Sequence, residues 1–191
     1  MKKIMGVILV ICIASGALFF TGCAKKAQES AAVDPQARQL LVQGTAYLKQ
    51  GEVVKAVQNF AMAIKTAPDY FESYYILGET FIHLKQFPQA QAVLTGAINR
   101  FPDNPLAYYL LAVAYEGSGS MMPAIISARK SVDLFQARQD EEGMKRATIL
   151  LGALVQVAKQ QAEVNMVNDA AQAAVKAVAD TAPAGTPAAA K

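Results

Sequence analysis

The sequence predicts an all-α chain built as an α-α superhelix, three stacked helix pairs closed by one further helix. Three observations predict it. Residue types recur at a step of 34: Gly44, Gly78 and Ala112; Tyr47, Phe81 and Tyr115; Ala56, Ala90 and Ala124; Phe60, Leu94 and Ala128. Apolar residues inside each unit keep helical spacing, as in Leu40, Leu41, Gly44, Tyr47 and Leu48. Pro68 and Pro102 stand on the same step, where a helix must stop. A fixed period of this length is the mark of stacked helical hairpins. The chain of 191 residues, 53% hydrophobic, has enough apolar surface for a core and is too apolar for a disordered chain.

The first element is a leader. Lys2 and Lys3 precede an uncharged stretch from Ile4 to Phe20, and Thr21, Gly22 and Cys23 follow. Charge, apolar run and small residues in that order form the secretory pattern. Phe20-Thr21-Gly22-Cys23 resembles the lipobox of bacterial lipoprotein signals, with Phe20 where Leu is usual. The resemblance implies that residues 1–22 are a signal peptide and that Cys23 is the lipidation site, acylated on sulfur with palmitate-type chains. The alternative is an uncleaved N-terminal membrane anchor. Both tether the chain to a membrane, and two or three acyl chains hold where one does not, at about 0.8 kcal/mol per buried methylene. Ala24 stands where the sorting rule of enteric lipoproteins places Asp for inner-membrane retention. The implied location is the bacterial cell envelope, on the outer membrane facing the periplasm.

The leader also explains the composition. With residues 1–22 removed, Lys+Arg falls from 18 to 16 and Asp+Glu stays at 15, so the charge balance of +3 becomes +1. A nucleic-acid footprint is not supported. Cys12 leaves with the leader and Cys23 is taken by lipid, so disulfide, redox and thiol-nucleophile readings fall away. Residues 23–36 are the lipid anchor and a flexible linker; the ten residues 24–33 span at most about 35 Å. Lys25 and Lys26 either touch anionic headgroups or are ordinary solvated charges.

The repeats come next. The order small, aromatic, small, large, small, Pro at a period of 34 resembles the tetratricopeptide repeat (TPR) family over 37–70, 71–104 and 105–138. The family's usual tryptophan position holds Leu40, Tyr74 and Tyr108. Gly44, Gly78 and Ala112 are small because two helices approach closely there, with Ala56, Ala90 and Ala124 as the expected opposite faces. Pro88 and Pro123 fall in the first turn of second helices, where proline is tolerated. The third repeat departs at Ala128, Ser131 and Gln136, which leaves its exit turn unspecified.

A capping helix is expected over 139–163. Asp140, Glu141 and Glu142 suit a helix N-terminus, and Ala147, Leu150, Leu151, Leu154, Val157, Ala158 and Gln161 mark one apolar stripe. The tail, 164–191, is rich in alanine and proline. Asn168 is placed to cap a separate helix over 169–179, with disorder after Thr181.

No catalytic constellation, metal-ligand spacing or phosphate loop is present in the sequence, and His83 stands alone. The sequence thus points to a non-enzyme with no cofactor and no metal. The TPR resemblance implies a concave surface, lined by first helices, that binds a peptide or helix of a protein partner. Carried over by register, repeat 1 contributes Arg38, Leu41, Thr45, Leu48 and Lys49. Repeat 2 contributes Glu72, Tyr75, Glu79, Ile82 and His83. Repeat 3 contributes Leu106, Tyr109, Leu110, Val113 and Glu116. Some TPR chaperone cofactors grip a C-terminal carboxylate with a Lys/Asn/Asn/Lys/Arg clamp, and the matching positions here are Leu41, Thr45, Ile76, Leu106 and Leu110. The clamp is absent. The surface suits an apolar or amphipathic segment instead, with Tyr75 and Tyr109 as anchors.

Two fates of the groove stay open at this stage. It is filled by an external partner, or by the chain itself, through the 169–179 helix or a second copy. The corresponding functions are a membrane-anchored scaffold or adaptor for secretion, pilus or envelope assembly, and a self-associating structural lipoprotein.

Overall fold

A computed structural model describes residues 34–181, with side-chain surroundings through residue 177. The leader, Cys23, the linker up to residue 33 and residues 182–191 lie outside the described residues. Within them the chain forms α1 (Pro35–Lys49), α2 (Val53–Thr66), α3 (Phe71–His83), α4 (Phe87–Arg100), α5 (Pro105–Gly117), α6 (Met121–Ala137) and α7 (Glu141–Thr181). Each helix packs on the next in chain order. This is the all-α solenoid of helix pairs read from the 34-residue step. No helix among the described residues is long and apolar enough to cross a membrane.

Local chemistry sets the helix ends. Asp34 Oδ1 accepts from Gln36 N at 2.8 Å, and Asn104 Oδ1 accepts from Leu106 N at 3.0 Å. Each cap is followed by a proline at the first helical position, whose missing N–H costs nothing there. Asp140 Oδ1 likewise accepts from Gly143 N at 2.8 Å to open α7. Between the helices of a pair, the chain reverses through one residue of positive φ: Gly51 (77°), Lys85 (56°) and Gly119 (77°). The amides of Glu52, Gln86 and Ser120 reach back to the carbonyls of Tyr47, Phe81 and Tyr115 at 2.9 Å, closing the same turn three times. Glycine relieves the strain at two of these positions, and Lys85 adopts the same backbone without that relief.

Between pairs a different device operates. Ala67 (φ −134°) and Phe101 (φ −127°) are extended because each precedes a proline, which disfavours helix in the preceding residue. The third pair has Gln136 where proline is missing. Its second helix accordingly runs 17 residues, against 14 in α2 and α4. It ends in a positive-φ turn at Gln139 (58°), with Asp140 N on Phe135 O at 3.0 Å.

Packing inside each pair follows a large-on-small rule. A Cβ placed on Gly44 would strike the Phe60 ring, and one on Gly78 would lie 2.7 Å from Leu94 Cδ2. The groups that require the glycines are therefore Phe60 and Leu94, not Ala56 and Ala90 as the sequence alone suggested. The reason is that the second helix crosses the first with its large residue, one turn further on, over the small site. In the third pair both sides are small, Ala112 and Ala128, and Leu154 of α7 joins their buried cluster and supplies the bulk.

The two ends of the stack differ. Ser73, Leu77 and Thr80 of α3, like Ala107, Leu111 and Ala114 of α5, are buried against the preceding pair. The same positions of α1 are Gln39, Gln43 and Ala46, all exposed, so the first helix presents a polar outer face. At the other end Gly143 and Ala147 are buried and Leu150 is half-buried. These three repeat the α5 pattern with a step of 36 instead of 34. α7 is thus the first helix of a fourth, incomplete repeat.

α7 then continues as one helix to Thr181, 41 residues in all, which is about 60 Å. This corrects the expectation of a cap ending at 163 and a separate helix at 169–179. Asn168 sits in mid-helix, not at an N-cap, because nothing from Glu141 to Thr181 breaks a helix: proline is absent and glycine occurs only at 143 and 152. Residues 159–177 are exposed throughout, so this stretch does not fill the groove.

Candidate partner-binding groove

The first helices form the inner layer. α3 packs directly on α5, whereas among the described residues no second helix packs on another second helix to that extent. The stack therefore closes up on the first-helix side, and that side is concave. α1 stands slightly apart from α3 and leaves a cavity of about 420 Å³. Its lining brings together Arg38, Leu41, Thr45 and Lys49 of α1 with Glu72 of α3, five residues expected from the register. Val42, Ala46, Tyr70 and Ile76 complete it. Leu41 forms the floor at 5% exposed, while Val42 at 65% is open to solvent. Thr45 Oγ1 donates to Leu41 O at 2.8 Å, so toward the cavity its hydroxyl can act only as an acceptor. The cavity wall is apolar and its charges, both signs, stand at the rim.

A second patch lies between α3 and α5. Tyr75, Ile82 and Tyr109 pack around buried Leu110 and Leu111. Leu110 is 7% exposed and acts as floor; the two tyrosines are half-buried and present their edges. Tyr75 OH donates to Glu79 Oε1 at 3.4 Å. Of the remaining residues, Leu48 packs into the core of the first pair, and Leu106 and Val113 are half-buried. His83 and Glu116 are exposed near the ends of their helices and join neither patch. Among the described residues no group of three His, Cys, Asp or Glu is placed to hold a metal.

The Tyr75 phenol titrates above its ordinary value of 10.0. Burial is the largest cause, then the charge and hydrogen bond of Glu79 and the charge of Glu72, with Arg146 opposing. Such a phenol stabilises the fold fully below about pH 10 and loses that contribution as pH rises through the folded value. Arg146 is on α7, 36 residues beyond Leu110, the same step that relates Gly143 to Ala107. It is absent from the positions expected by register because 139–163 was expected to be a cap and only the three repeats supplied groove positions. Removing Arg146 as Arg146→Ala is expected to raise the Tyr75 value further, and Glu79→Gln to lower it, in a titration followed by NMR. No response to Arg146→Ala would place α7 away from the groove.

Residues 47–114 match the family model described as tetratricopeptide repeat. The described residues form a tetratricopeptide-like solenoid. Solved structures agree on that fold. The TPR2B domain of yeast Sti1, solved as a complex with pHsp70, superposes with a TM-score of 0.59 at 20% identity, covering 64% of this chain and 98% of that one. The TPR domain of Arabidopsis OM64 gives 0.54 at 24% identity, over 63% and 95% of the two chains. The Yersinia enterocolitica type III secretion translocator chaperone SycD gives 0.58 at 14% identity, over 65% and 96%. No curated protein sequence matches the chain.

Proposed function

We propose that this chain is a lipid-anchored adaptor of the bacterial envelope. Its TPR groove holds an apolar or amphipathic segment of a partner protein near the outer membrane, on the periplasmic side. The observation that carries the reading is the cavity between α1 and α3, where five register-derived residues meet around an apolar wall. The tyrosine patch beside it extends the same surface across α5. Tyr offers large contact area at low entropic cost, which suits an anchor role.

The likeness to a Sti1 domain solved with pHsp70 raises a carboxylate-gripping mode for this groove. The chemistry argues for an apolar segment instead. Leu41 and Leu110 are buried carbon surface where that mode needs cationic or amide side chains. The anchor rests on the sequence at Phe20–Cys23, outside the described residues. Cys23→Ala is expected to abolish incorporation of labelled fatty acid and to release the protein from the membrane fraction. Unchanged labelling contradicts the anchor. The groove is tested separately, by capture of a partner from positions 75 and 109.

A further inference from the structure

One charge on the concave face differs from the others. Arg38, Lys49, Glu72 and Glu116 are exposed and keep their water, whereas Glu79 of α3 is half-buried beside the tyrosine patch. Its carboxylate accepts one long hydrogen bond, from Tyr75 OH at 3.4 Å. None of the ion pairs among the described residues involves it.

The neighbouring helices offer it nothing more. One repeat back, on α1, the same position is Thr45, whose hydroxyl hydrogen is taken by Leu41 O. One repeat on, on α5, it is Val113, which is apolar. One turn further along α3, His83 is exposed and forms no ion pair among the described residues.

This constrains whatever lies over the tyrosines. A segment that covers Tyr75 also covers the carboxylate bonded to its hydroxyl. It strips the water from a group with about four lone-pair sites, of which the protein uses one. An ionised carboxylate buried without a counter-charge is strongly unfavourable. A wholly apolar segment is therefore penalised at the two anchors themselves.

We propose that the segment held by the groove carries one basic side chain, Lys or Arg, whose cation seats on Glu79 with its stem across Tyr75, Tyr109 and Val113. The inference rests on the adaptor reading above and narrows its partner to an amphipathic segment with a cation set among its apolar residues. Charge complementarity selects this occupant, because a cation supplies both hydrogen-bond donors and the opposite charge. The surroundings add to it. Tyrosine faces attract cations, and the carbon stems of Lys and Arg cover apolar surface.

The chain has one candidate of its own for the seat. Arg146 of α7 acts on the Tyr75 phenol against the charges of Glu79 and Glu72. It is exposed, however, and pairs with neither carboxylate. Arg146 therefore enters the test as a competitor of the partner's cation.

The test starts from the full chain in cells with a photo-crosslinking residue at position 109. The crosslinked segment of the partner is mapped by mass spectrometry, and a synthetic peptide of that segment is titrated against the full chain in detergent. Glu79→Gln is expected to weaken the peptide about tenfold or more, because it leaves a covered cation without its counter-charge. Exchanging the seated basic residue of the peptide for Gln should cost as much, and the two changes together no more than either alone. For a segment that sets no cation on Glu79 the sign reverses, since Glu79→Gln then removes an unpaired charge and tightens binding. Tighter or unchanged binding by Glu79→Gln overturns the proposal, as do losses that add in full for every basic residue of the peptide. Arg146→Ala is expected to tighten the peptide. A loss equal to that of Glu79→Gln would make Arg146 the counter-charge and overturn the proposal. No adduct from position 109 contradicts the adaptor reading itself. An adduct whose peptide binds tightly and ignores Glu79 leaves that reading standing and removes only the cation seat.

Discussion

Replacing Phe60 by alanine is expected to destabilise the first repeat by about 3–5 kcal/mol. The ring is fully buried and lies over Gly44, which was kept small to admit it. Its loss leaves a cavity that the backbone cannot close, because Gly44 has no side chain to move into it. Helix pairs in a solenoid contact only their neighbours, so the loss stays local at first. Urea unfolding followed by circular dichroism should show an early transition, and hydrogen exchange should accelerate in α1 and α2 before α5 and α6. A cost below about 1 kcal/mol would contradict the large-on-small account of the repeat. The third pair gives an internal contrast. There Ala112 and Ala128 face each other and Leu154 supplies the bulk, so the equivalent sensitivity belongs to α7.

The repeats were legible because several residue types recur together at one step. Gly44 and Gly78 mark the close approach, Pro68 and Pro102 mark the exits, and each is tied to a different physical requirement. What the glycines accommodate was not legible. Pairing Gly44 with Phe60 depends on how two helices cross, which a period alone does not fix. The length of α7 was misread for a related reason. Asn168 and the alanine-rich run suggest a new start, yet Asn in mid-helix costs only a few tenths of a kcal/mol and alanine favours helix.

The groove was legible in part. Five expected residues meet at the α1–α3 cavity because their register survives folding unchanged. Leu110 sank into the floor, since the closer approach of α3 to α5 buries that position. Val42 and Ile76 line the cavity on the same step as Leu110, one position beyond the residues chosen. Arg146 lies on a helix expected only as a cap; that α7 repeats the burial pattern of a first helix, two residues late, shows only in the packing of Gly143, Ala147 and Leu150.

The second large effect concerns the groove itself. Tyr75→Ala together with Tyr109→Ala is expected to cost at least about 2 kcal/mol of partner binding, roughly a 30-fold loss of affinity. The two rings flank one apolar floor, Leu110 and Leu111, so truncating them removes the contact area offered to a partner and uncovers that floor. The rings also pack on the core, so some stability is lost; Tyr75→Phe together with Tyr109→Phe, which keeps the packing, is expected to keep most of the affinity and separates a lost contact from a lost fold. The double alanine change in a chain whose partner binds elsewhere would leave affinity intact.

The most direct measurement places a photo-crosslinking residue at position 75 or 109 of the full chain in cells, with position 62 as control. Met62 lies on α2, outside the inner layer, and is 52% exposed. The account predicts one discrete adduct with a different protein from positions 75 and 109, and none from position 62. No adduct, equal capture from position 62, or an adduct made only of two copies of this chain would contradict it.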